Sequence, residues 1–206
     1  MPEVLLATGN PHKLEEVRAI LEPIGWRVLG LDDLGGPMPP EPVEDAETFE
    51  GNARLKAVEY ARATGRLALA DDSGLEVDAL NGQPGVHSAR FSGVDGDRET
   101  RDRANNSLLV ERMAATHERD RSARFVCCMC LANPEGVILA ETRGTFEGEI
   151  VLEPRGANGF GYDPHLLLPA EGRTSAELEP DEKNARSHRG AATRAMAKAI
   201  ATLESG

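Results

Sequence analysis

Short runs of apolar residues mark the first strands of this sequence. The segment from Glu3 to Ala7 is apolar on both faces, and Leu67 to Ala70 is a run of four apolar residues after Gly65. A further short strand is predicted from Trp26 to Leu29. Continuous apolar runs of this length are typical of strands that are buried on both faces. These runs therefore predict the buried centre of a sheet.

Apolar positions with helical spacing predict helices between and after these strands. The first helix follows Asn10, which suits the N-cap, and Pro11 suits its first helical position. Further helices are predicted from about Thr48 to Thr64, from Arg98 to Ala115, and near the C-terminus. A strand, a helix and another strand in succession predict parallel pairing.

The segment before the C-terminal helix predicts antiparallel strands. Ser122 to Leu131 and Val137 to Arg143 are joined by a short turn, and Thr145 to Leu152 is predicted as a further strand beyond Gly144. Short links of this kind force antiparallel pairing. The expected fold class is therefore α/β with a mixed, partly antiparallel sheet, in a single domain that spans residues 1–206.

Length and charge exclude several classes of protein. The chain has 206 residues, enough to bury a sizeable core, and its formal net charge is −12. This charge argues against binding to duplex nucleic acid, which needs a basic surface, but it still allows a small phosphorylated ligand. No apolar run reaches membrane-spanning length, and the N-terminus lacks the pattern of a leader peptide. We expect a cytoplasmic protein.

Three cysteines lie close together at Cys127, Cys128 and Cys130. Adjacent residues of a strand point to opposite faces, so this spacing suits neither a disulfide set nor a zinc site. We expect buried, reduced thiols that act as small apolar side chains, in agreement with a reducing compartment.

The clearest candidate for chemistry follows the apolar run that ends at Ala70. Asp71, Asp72, Ser73 and Gly74 come next, and α/β sheets usually bind ligands at the carboxyl ends of their strands. Ionised carboxylates at such a place need a cationic partner, and a divalent metal would serve. The alternative is an ordinary turn, because Asp, Ser and Gly are common turn residues. Alternation along the strand predicts that the two carboxylates face opposite ways.

Two further segments are suited to a nucleotide. Lys13 lies in the first turn of the predicted helix, where the helix dipole disfavours a cation unless an anion is also bound. The loop resembles a Walker A sequence only loosely, because the glycine spacing and the Lys-Ser/Thr pair are absent. Gly156 to Pro164 combines glycines, two aromatics and an Asp, which suits a flexible loop that offers an exposed aromatic face to a base. The alternative is a glycine-rich turn with buried rings.

Three charged features have an ordinary explanation when each is taken alone. Lys56 and Asn52 lie on the flank of a helix stripe, from which lysines often extend to solvent. Glu44 is expected to be a solvated acid unless it faces Asp72. The segment from Asp181 to Gly190 is rich in charged residues, which usually form a solvated surface.

Four segments together resemble the inosine/xanthosine triphosphate pyrophosphatase family, also described as XTP/dITP diphosphatases. They occur in the order and spacing of that family and extend over nearly the whole chain. The segments are Thr8-Gly9-Asn10-Pro11-His12-Lys13, Ala70-Asp71-Asp72-Ser73-Gly74-Leu75, Gly159-Phe160-Gly161-Tyr162-Asp163-Pro164, and Ser187-His188-Arg189-Gly190 with Lys183 upstream. Each segment alone is a weak signal, whereas the ordered set is specific.

The resemblance implies an enzyme that hydrolyses ITP, dITP or XTP to the monophosphate and pyrophosphate, which keeps these bases out of DNA and RNA. It also implies an elongated sheet flanked by helices, two lobes around a cleft, a homodimer and Mg²⁺ as cofactor. Asp72 would be the catalytic proton acceptor and would bind the metal, with Glu44 as a second ligand. The residues expected to contact substrate are Thr8, Gly9, Asn10, Pro11, His12, Lys13, Ser73, Phe160, Gly161, Tyr162, Asp163, Lys183, His188 and Arg189.

Chemical arguments refine these roles. An Asp that binds Mg²⁺ has a lowered pKa, so Asp72 is expected to act mainly by orienting water. Hypoxanthine and xanthine present a 6-oxo acceptor and an N1–H donor, whereas adenine presents the reverse. A donor from Lys183 or Arg189, with Asp163 as acceptor, would therefore reject adenine. Guanine shares both features, and no residue of the sequence points to the contact that rejects it.

Two other functions fit parts of the pattern. One is a related pyrophosphatase that prefers pyrimidine or modified nucleotides, against which the loop from Phe160 to Asp163 argues. The other is a non-enzymatic nucleotide-binding module, against which the position of Asp72 argues, because a metal there would serve hydrolysis.

Overall fold

The computed structural model describes residues 1–36, 39–116 and 120–204 and has the expected α/β class. The helices are α1 (Pro11–Leu21), α2 (Phe49–Thr64), α3 (Arg98–Ala115), α4 (Pro180–Arg186) and α5 (His188–Glu204). The strands are β1 (Glu3–Leu6), β2 (Arg27–Leu29), β3 (Ala68–Val77), β4 (Ser122–Ala132), β5 (Ile138–Ile150), β6 (Leu166–Leu168) and β7 (Arg173–Thr174). Among the described residues, no helix is both long enough and apolar enough to cross a membrane.

The strands form a mixed sheet, as predicted. Over the described residues it has seven strands in the order β2-β1-β3-β4-β5-β6-β7. β1 pairs in parallel with both β2 and β3, because α1 and α2 supply the connections that parallel strands need. β6 pairs antiparallel with both β5 and β7.

The chain divides into two compact units. Unit 1 comprises Met1–Asp72, Cys127–Gly144 and His188–Gly206, and unit 2 comprises Ser73–Val126 and Thr145–Ser187. The boundaries between the units fall within β3 and β4 and inside β5. The single domain and the cleft that were expected from sequence stay predictions.

The core of unit 1 follows the alternation of its strands. Leu6, Leu69 and Cys127 belong to one apolar cluster with residues of α1 and α5. Ala70 and Cys130 belong to another cluster, with residues of α2. All three cysteines are buried and free, which confirms the prediction of reduced thiols that act as apolar side chains.

The core of unit 2 packs one face of α3 against strands and the loop that follows β5. Its buried members include Leu75, Leu109, Phe146, Tyr162 and Leu166. This arrangement places α3 beside the glycine-rich segment of the same unit.

Two strand ends predicted from the sequence are wrong. β3 continues to Val77, so Asp71 and Asp72 lie within a strand, neither at its carboxyl end nor in a turn. β5 likewise runs without a break through Gly144. A Cβ atom at Gly144 would overlap the carbonyl oxygen of His188 and lie 2.7 Å from the amide nitrogen of Ala192. The glycine therefore allows the close approach of α5 to β5, and it does not end the strand.

Candidate active site

Asp71 lies in a buried ion-pair cluster on the α1 and α5 side of β3. Its Oδ2 atom is 2.9 Å from the Lys13 ammonium and accepts a hydrogen bond of 3.3 Å from Nε of Arg189. Arg189 also donates to Glu16 at 2.6 Å, and both Asp71 and Arg189 are 2% exposed. Burial alone would raise the pKa of Asp71, but the charges of Lys13 and Arg189 outweigh it and hold that pKa far below its ordinary value.

Asp72 faces the opposite side of β3 and meets residues of α2. Asn52 donates to Oδ2 of Asp72 at 2.9 Å. The Lys56 ammonium lies 3.2 Å from Oε1 of Glu44 and 3.9 Å from Oδ1 of Asp72. Burial raises the pKa of Asp72, and the nearby charge of Glu44 raises it further against the opposing effect of Lys56. The predicted alternation of Asp71 and Asp72 is therefore confirmed.

The residues around Asp72 suit a divalent cation. Asp72 and Glu44 both approach the same ammonium group, that of Lys56, so two carboxylates share one cation there. Among the residues the structure describes, no group of three or more His, Cys, Asp or Glu side chains could enclose a metal. Mg²⁺ commonly binds to one or two carboxylates and completes its coordination with water and substrate phosphates. Asp72 and Glu44 fit that pattern.

The segment from Thr8 to Lys13 comprises the turn after β1 and the first residues of α1, which begins at Pro11. Asn10 is the N-cap, as predicted. Its side-chain oxygen accepts from the backbone amide of His12 at 3.1 Å, and its backbone amide donates to Oγ1 of Thr8 at 3.2 Å. The Lys13 ammonium is paired with Asp71, an anion of the protein itself, whereas a bound anion at the start of α1 stays a prediction. Gly9, Pro11 and His12 are exposed, and a role of this turn in phosphate binding stays a prediction.

Asp163 fixes the glycine-rich segment of unit 2. Its Oδ2 atom accepts from the Phe160 amide at 2.8 Å and from the Lys183 ammonium at 2.5 Å, and Oδ1 accepts from the Ser175 hydroxyl at 2.8 Å. The residue is 2% exposed. A Cβ atom at Gly159, where φ is +80°, would overlap the Asp163 carboxylate. This glycine therefore serves close packing around Asp163. The flexibility expected of the loop stays a prediction.

The two aromatic residues of this segment differ in exposure. Tyr162 is buried in the core of unit 2, and its hydroxyl donates to the carbonyl of Ser88 at 2.7 Å. The expectation that both rings are exposed is wrong for Tyr162. Its burial is possible because the hydroxyl has the hydrogen-bond partner that a buried phenol needs. Phe160 is half-buried, with the Arg98 guanidinium 5.0 Å and the Lys183 ammonium 5.4 Å from its ring centroid.

The charged segment from residue 181 to residue 190 is helical and mostly not solvated. Lys183, Ser187, His188 and Arg189 are all buried, with exposed fractions between 1% and 7%. The expectation of a solvated surface is therefore wrong, because Lys183 and Arg189 have carboxylate partners within their units.

The predicted site residues form three groups. Unit 1 brings Lys13 and Arg189 together through Asp71, and it brings Asp72 and Glu44 together through Lys56. Unit 2 brings Phe160, Asp163 and Lys183 together. The remaining predicted residues fall in one unit or the other: Thr8, Gly9, Asn10, Pro11, His12 and His188 in unit 1, and Ser73, Gly161 and Tyr162 in unit 2.

Sequence reasoning missed several residues of these groups. Asn52 and Lys56 were given an ordinary explanation, although their spacing of four on α2 and their apolar surroundings were a usable signal. Ser175 and Arg98 have no such signal, because only tertiary packing brings them to Asp163 and Phe160.

Comparison with known proteins agrees with the resemblance noted above. A dITP/XTP pyrophosphatase of Exiguobacterium sp. is 50% identical to this chain over 204 residues, which are 99% of this chain and 100% of that protein. A dITP/XTP pyrophosphatase of Thermus thermophilus is 49% identical over 197 residues, 96% of this chain and 91% of that protein. A solved structure of a HAM1 protein from Coxiella burnetii superposes with a TM-score of 0.87 at 39% identity, covering 98% of this chain and 100% of that one.

The match extends along almost the entire sequence and includes both units. Residues 4–199 match the Ham1 family, a range that contains all of the segments on which the resemblance was based. This chain therefore belongs to the Ham1 family.

Proposed function

We propose that this protein is a Mg²⁺-dependent pyrophosphatase that hydrolyses deaminated purine nucleoside triphosphates, dITP, ITP and XTP, to the monophosphate and pyrophosphate. The relatives described above, which are named dITP/XTP pyrophosphatases, support the reaction and the substrate class. The observation that carries the proposal is the position of Asp72, which Asn52 and Lys56 hold beside Glu44. Removal of such nucleotides from the pool would keep their bases out of DNA and RNA.

We extend the proposal to the setting of the enzyme. The resemblance to the family supports a homodimer, and the free thiols of Cys127, Cys128 and Cys130 support a reducing, cytoplasmic location.

Asp72 and Glu44 would hold the metal, which when bound neutralises phosphate charge and lowers the pKa of a water molecule. Asn52 fixes one oxygen of the Asp72 carboxylate through its 2.9 Å hydrogen bond, so the other oxygen can orient the attacking water and accept its proton. The water oxygen forms a new bond to the α-phosphorus, and the bond between the α-phosphorus and the pyrophosphate oxygen breaks. The pyrophosphate departs with the electron pair of that bond.

Lys13 and Lys56 are the cations suited to the phosphates. Lys13 is held by Asp71 and Lys56 by Glu44, so both ammonium groups are positioned before substrate arrives. Positioned cations stabilise charge that builds up on the departing pyrophosphate without further reorganisation of the protein.

Phe160 and Lys183 are the residues suited to the base. The half-buried Phe160 ring offers a face for stacking, and Lys183, which Asp163 holds at 2.5 Å, can donate to a 6-oxo group. Adenine would place its 6-amino donor against that ammonium, and an unpaired donor of this kind is rejected strongly. Asp163 already accepts three hydrogen bonds, so we assign it first to the positioning of Lys183.

The test is a product assay with a matched pair of variants. Purified protein is incubated with dITP, dATP, dGTP and dTTP, with and without Mg²⁺, and pyrophosphate and orthophosphate are measured separately. We expect Mg²⁺-dependent release of pyrophosphate from dITP in preference to dATP. Asp72→Asn should lower kcat by about a thousandfold or more, because it removes the proton acceptor and a metal ligand. Asp71→Asn should lower it less.

Contrary results have distinct meanings. Orthophosphate as the first product would contradict cleavage between the α- and β-phosphates. Preference for dTTP would favour the related pyrophosphatase of pyrimidine nucleotides, and binding without turnover would favour a nucleotide-binding module. Equal activity of the wild type and Asp72→Asn, with both folded by circular dichroism, would refute the role of Asp72.

A further inference from the structure

We propose that one face of α3 is a specificity determinant of this protein, because it holds in place the loop that presents Phe160. The face consists of Arg98, Asp102 and Asn106, which we call the α3 clamp. This inference rests on the proposed function for its substrate, but the contacts that make up the clamp are independent of it.

The three residues of the α3 clamp lie four positions apart along the helix, so they share one face. Asp102 accepts a hydrogen bond of 3.1 Å from the amide of Gly161, and Asn106 donates one of 3.0 Å to the carbonyl of the same glycine. Arg98, one turn earlier, places its guanidinium 5.0 Å from the Phe160 ring centroid. Both polar groups of one peptide residue and the neighbouring ring are thus engaged by a single helix.

Gly161 is a residue that needs such restraint. Its φ angle is +61°, and a Cβ atom there would meet none of the described residues within 4 Å, so packing on the Cβ side does not fix its conformation. The two hydrogen bonds to Asp102 and Asn106 supply a restraint that side-chain packing at this position does not.

The helix itself is a rigid support. Leu109 and Met113 are fully buried in the core of unit 2. Asn105, next to the clamp, donates to the carbonyls of Ser88 and Ala89. Tyr162 donates to the same Ser88 carbonyl, so the helix and the loop are attached to a common point. A shift of α3 would therefore move the loop with it.

The consequence for selectivity follows from the neighbours of Phe160. The Phe160 amide and the Lys183 ammonium both bond to Oδ2 of Asp163, which ties the ring and the proposed donor to the 6-oxo group together. A base stacked on the ring presents its edge in a direction that the ring plane determines. Discrimination between a 6-oxo and a 6-amino purine therefore depends on the orientation that the α3 clamp gives to Phe160.

The experiment combines kinetics with hydrogen exchange in the full-length protein. Asp102→Ala removes the acceptor for the Gly161 amide, whereas Asp102→Asn keeps an oxygen at that place. We expect Asp102→Ala to raise KM for dITP about tenfold with kcat changed less than about threefold, because the loss is one of binding geometry. The ratio of kcat/KM for dITP to that for dATP should fall, and Asp102→Asn should restore most of both values.

Hydrogen exchange measures the clamp without reference to catalysis. Amides in a peptide that covers residues 156–163 should exchange faster in Asp102→Ala and in Asn106→Ala than in the wild type. Arg103→Ala is the matched control, since Arg103 lies on the same helix, is exposed and, within the part of the chain that the structure describes, pairs with Glu99 one turn away. It should change neither the exchange nor the kinetics.

The outcomes separate the clamp from the proposed function. Unchanged exchange in both clamp variants, or equal kinetics of Asp102→Ala and the wild type on dITP, would overturn the inference. Absence of dITP turnover in the wild type would instead overturn the proposed function and the selectivity that depends on it. Faster exchange in the two variants would then still establish the clamp as a structural device.

Discussion

Asp71 and Asp72 are neighbours in the sequence, yet they meet different cations. Lys13 and Arg189 surround Asp71, whereas Lys56 approaches Asp72, because successive residues of β3 point to opposite faces. Asp71 and Arg189 are almost completely buried, so each of these two charges depends on its partners for compensation. We therefore expect an arginine in a buried ion pair to contribute more to the free energy of unfolding than an arginine in an exposed pair.

Replacement of Arg189 by methionine tests this expectation. Arg189→Met leaves Asp71 and Glu16 without their shared guanidinium, and removal of one partner of a buried pair should lower the free energy of unfolding by about 3 kcal/mol. Arg103→Met, in an exposed pair with Glu99, should change it little. Urea denaturation of the two variants and the wild type measures both values. A similar loss of stability in both variants would contradict the argument from burial.

Local signals explain which elements could be predicted from the sequence. α1 begins after the N-cap Asn10 and α2 after the N-cap Thr48, and both caps are readable from a few neighbouring residues. Strand ends were predicted less well, because glycines and acids were interpreted as turn residues at Asp71 and at Gly144. Pairing with neighbouring strands continues β3 and β5 through these positions, and no local pattern reports it.

The same distinction applies to the candidate site. The segments that contain Asp72, Lys13 and Phe160 were identifiable because residues adjacent in sequence form recognisable motifs. The contacts from α2 and α3 were not, because they join positions that are distant in the chain. Asn106 of α3, for example, donates to the carbonyl of Gly161, which lies 55 positions later in the chain. Sequence thus indicated the chemistry, and the fold supplied the residues that position it.

A substitution of Gly144 in β5 tests whether this glycine allows the close approach of α5 to the strand. Gly144→Ala brings a methyl group against the backbone of α5, so we expect the free energy of unfolding to fall by about 2 kcal/mol. Gly36→Ala is the control, because Gly36 is exposed and a Cβ atom there meets none of the described residues within 4 Å. Thermal and urea unfolding of both variants should show a lower stability only for Gly144→Ala. Full stability of that variant would mean that β5 and α5 separate more readily than their contact suggests.

At the scale of the whole molecule, the rate at which the buried thiols react with a reagent measures how often the structure opens. Cys127, Cys128 and Cys130 are buried on β4, and burial raises the pKa of Cys128 and of Cys130 to about 12. The thiolate is the form that reacts with alkylating reagents, so a raised pKa and lack of access both slow the reaction. Alkylation in the native protein should therefore require opening of the structure.

Labelling with iodoacetamide measures this behaviour. At pH 8 we expect slow modification of all three thiols in native protein and rapid modification in urea, with little native thiolate until the pH rises towards the raised pKa values. Reductant should leave the melting temperature unchanged, because these cysteines form no disulfide. Fast labelling of native Cys128 at pH 8, before any loss of circular dichroism, would contradict its burial.

The uninterrupted course of β3 also limits how this sequence can change in length. Loss of one residue between Ala68 and Asp71 would turn every later side chain of the strand to the other face. The carboxylate of Asp72 would then point towards Lys13 and Arg189, and Glu44 would lose the neighbouring acid. A surface loop can tolerate an insertion or a deletion. We expect no such tolerance in β3, because the number of residues in this strand matters as much as their identity.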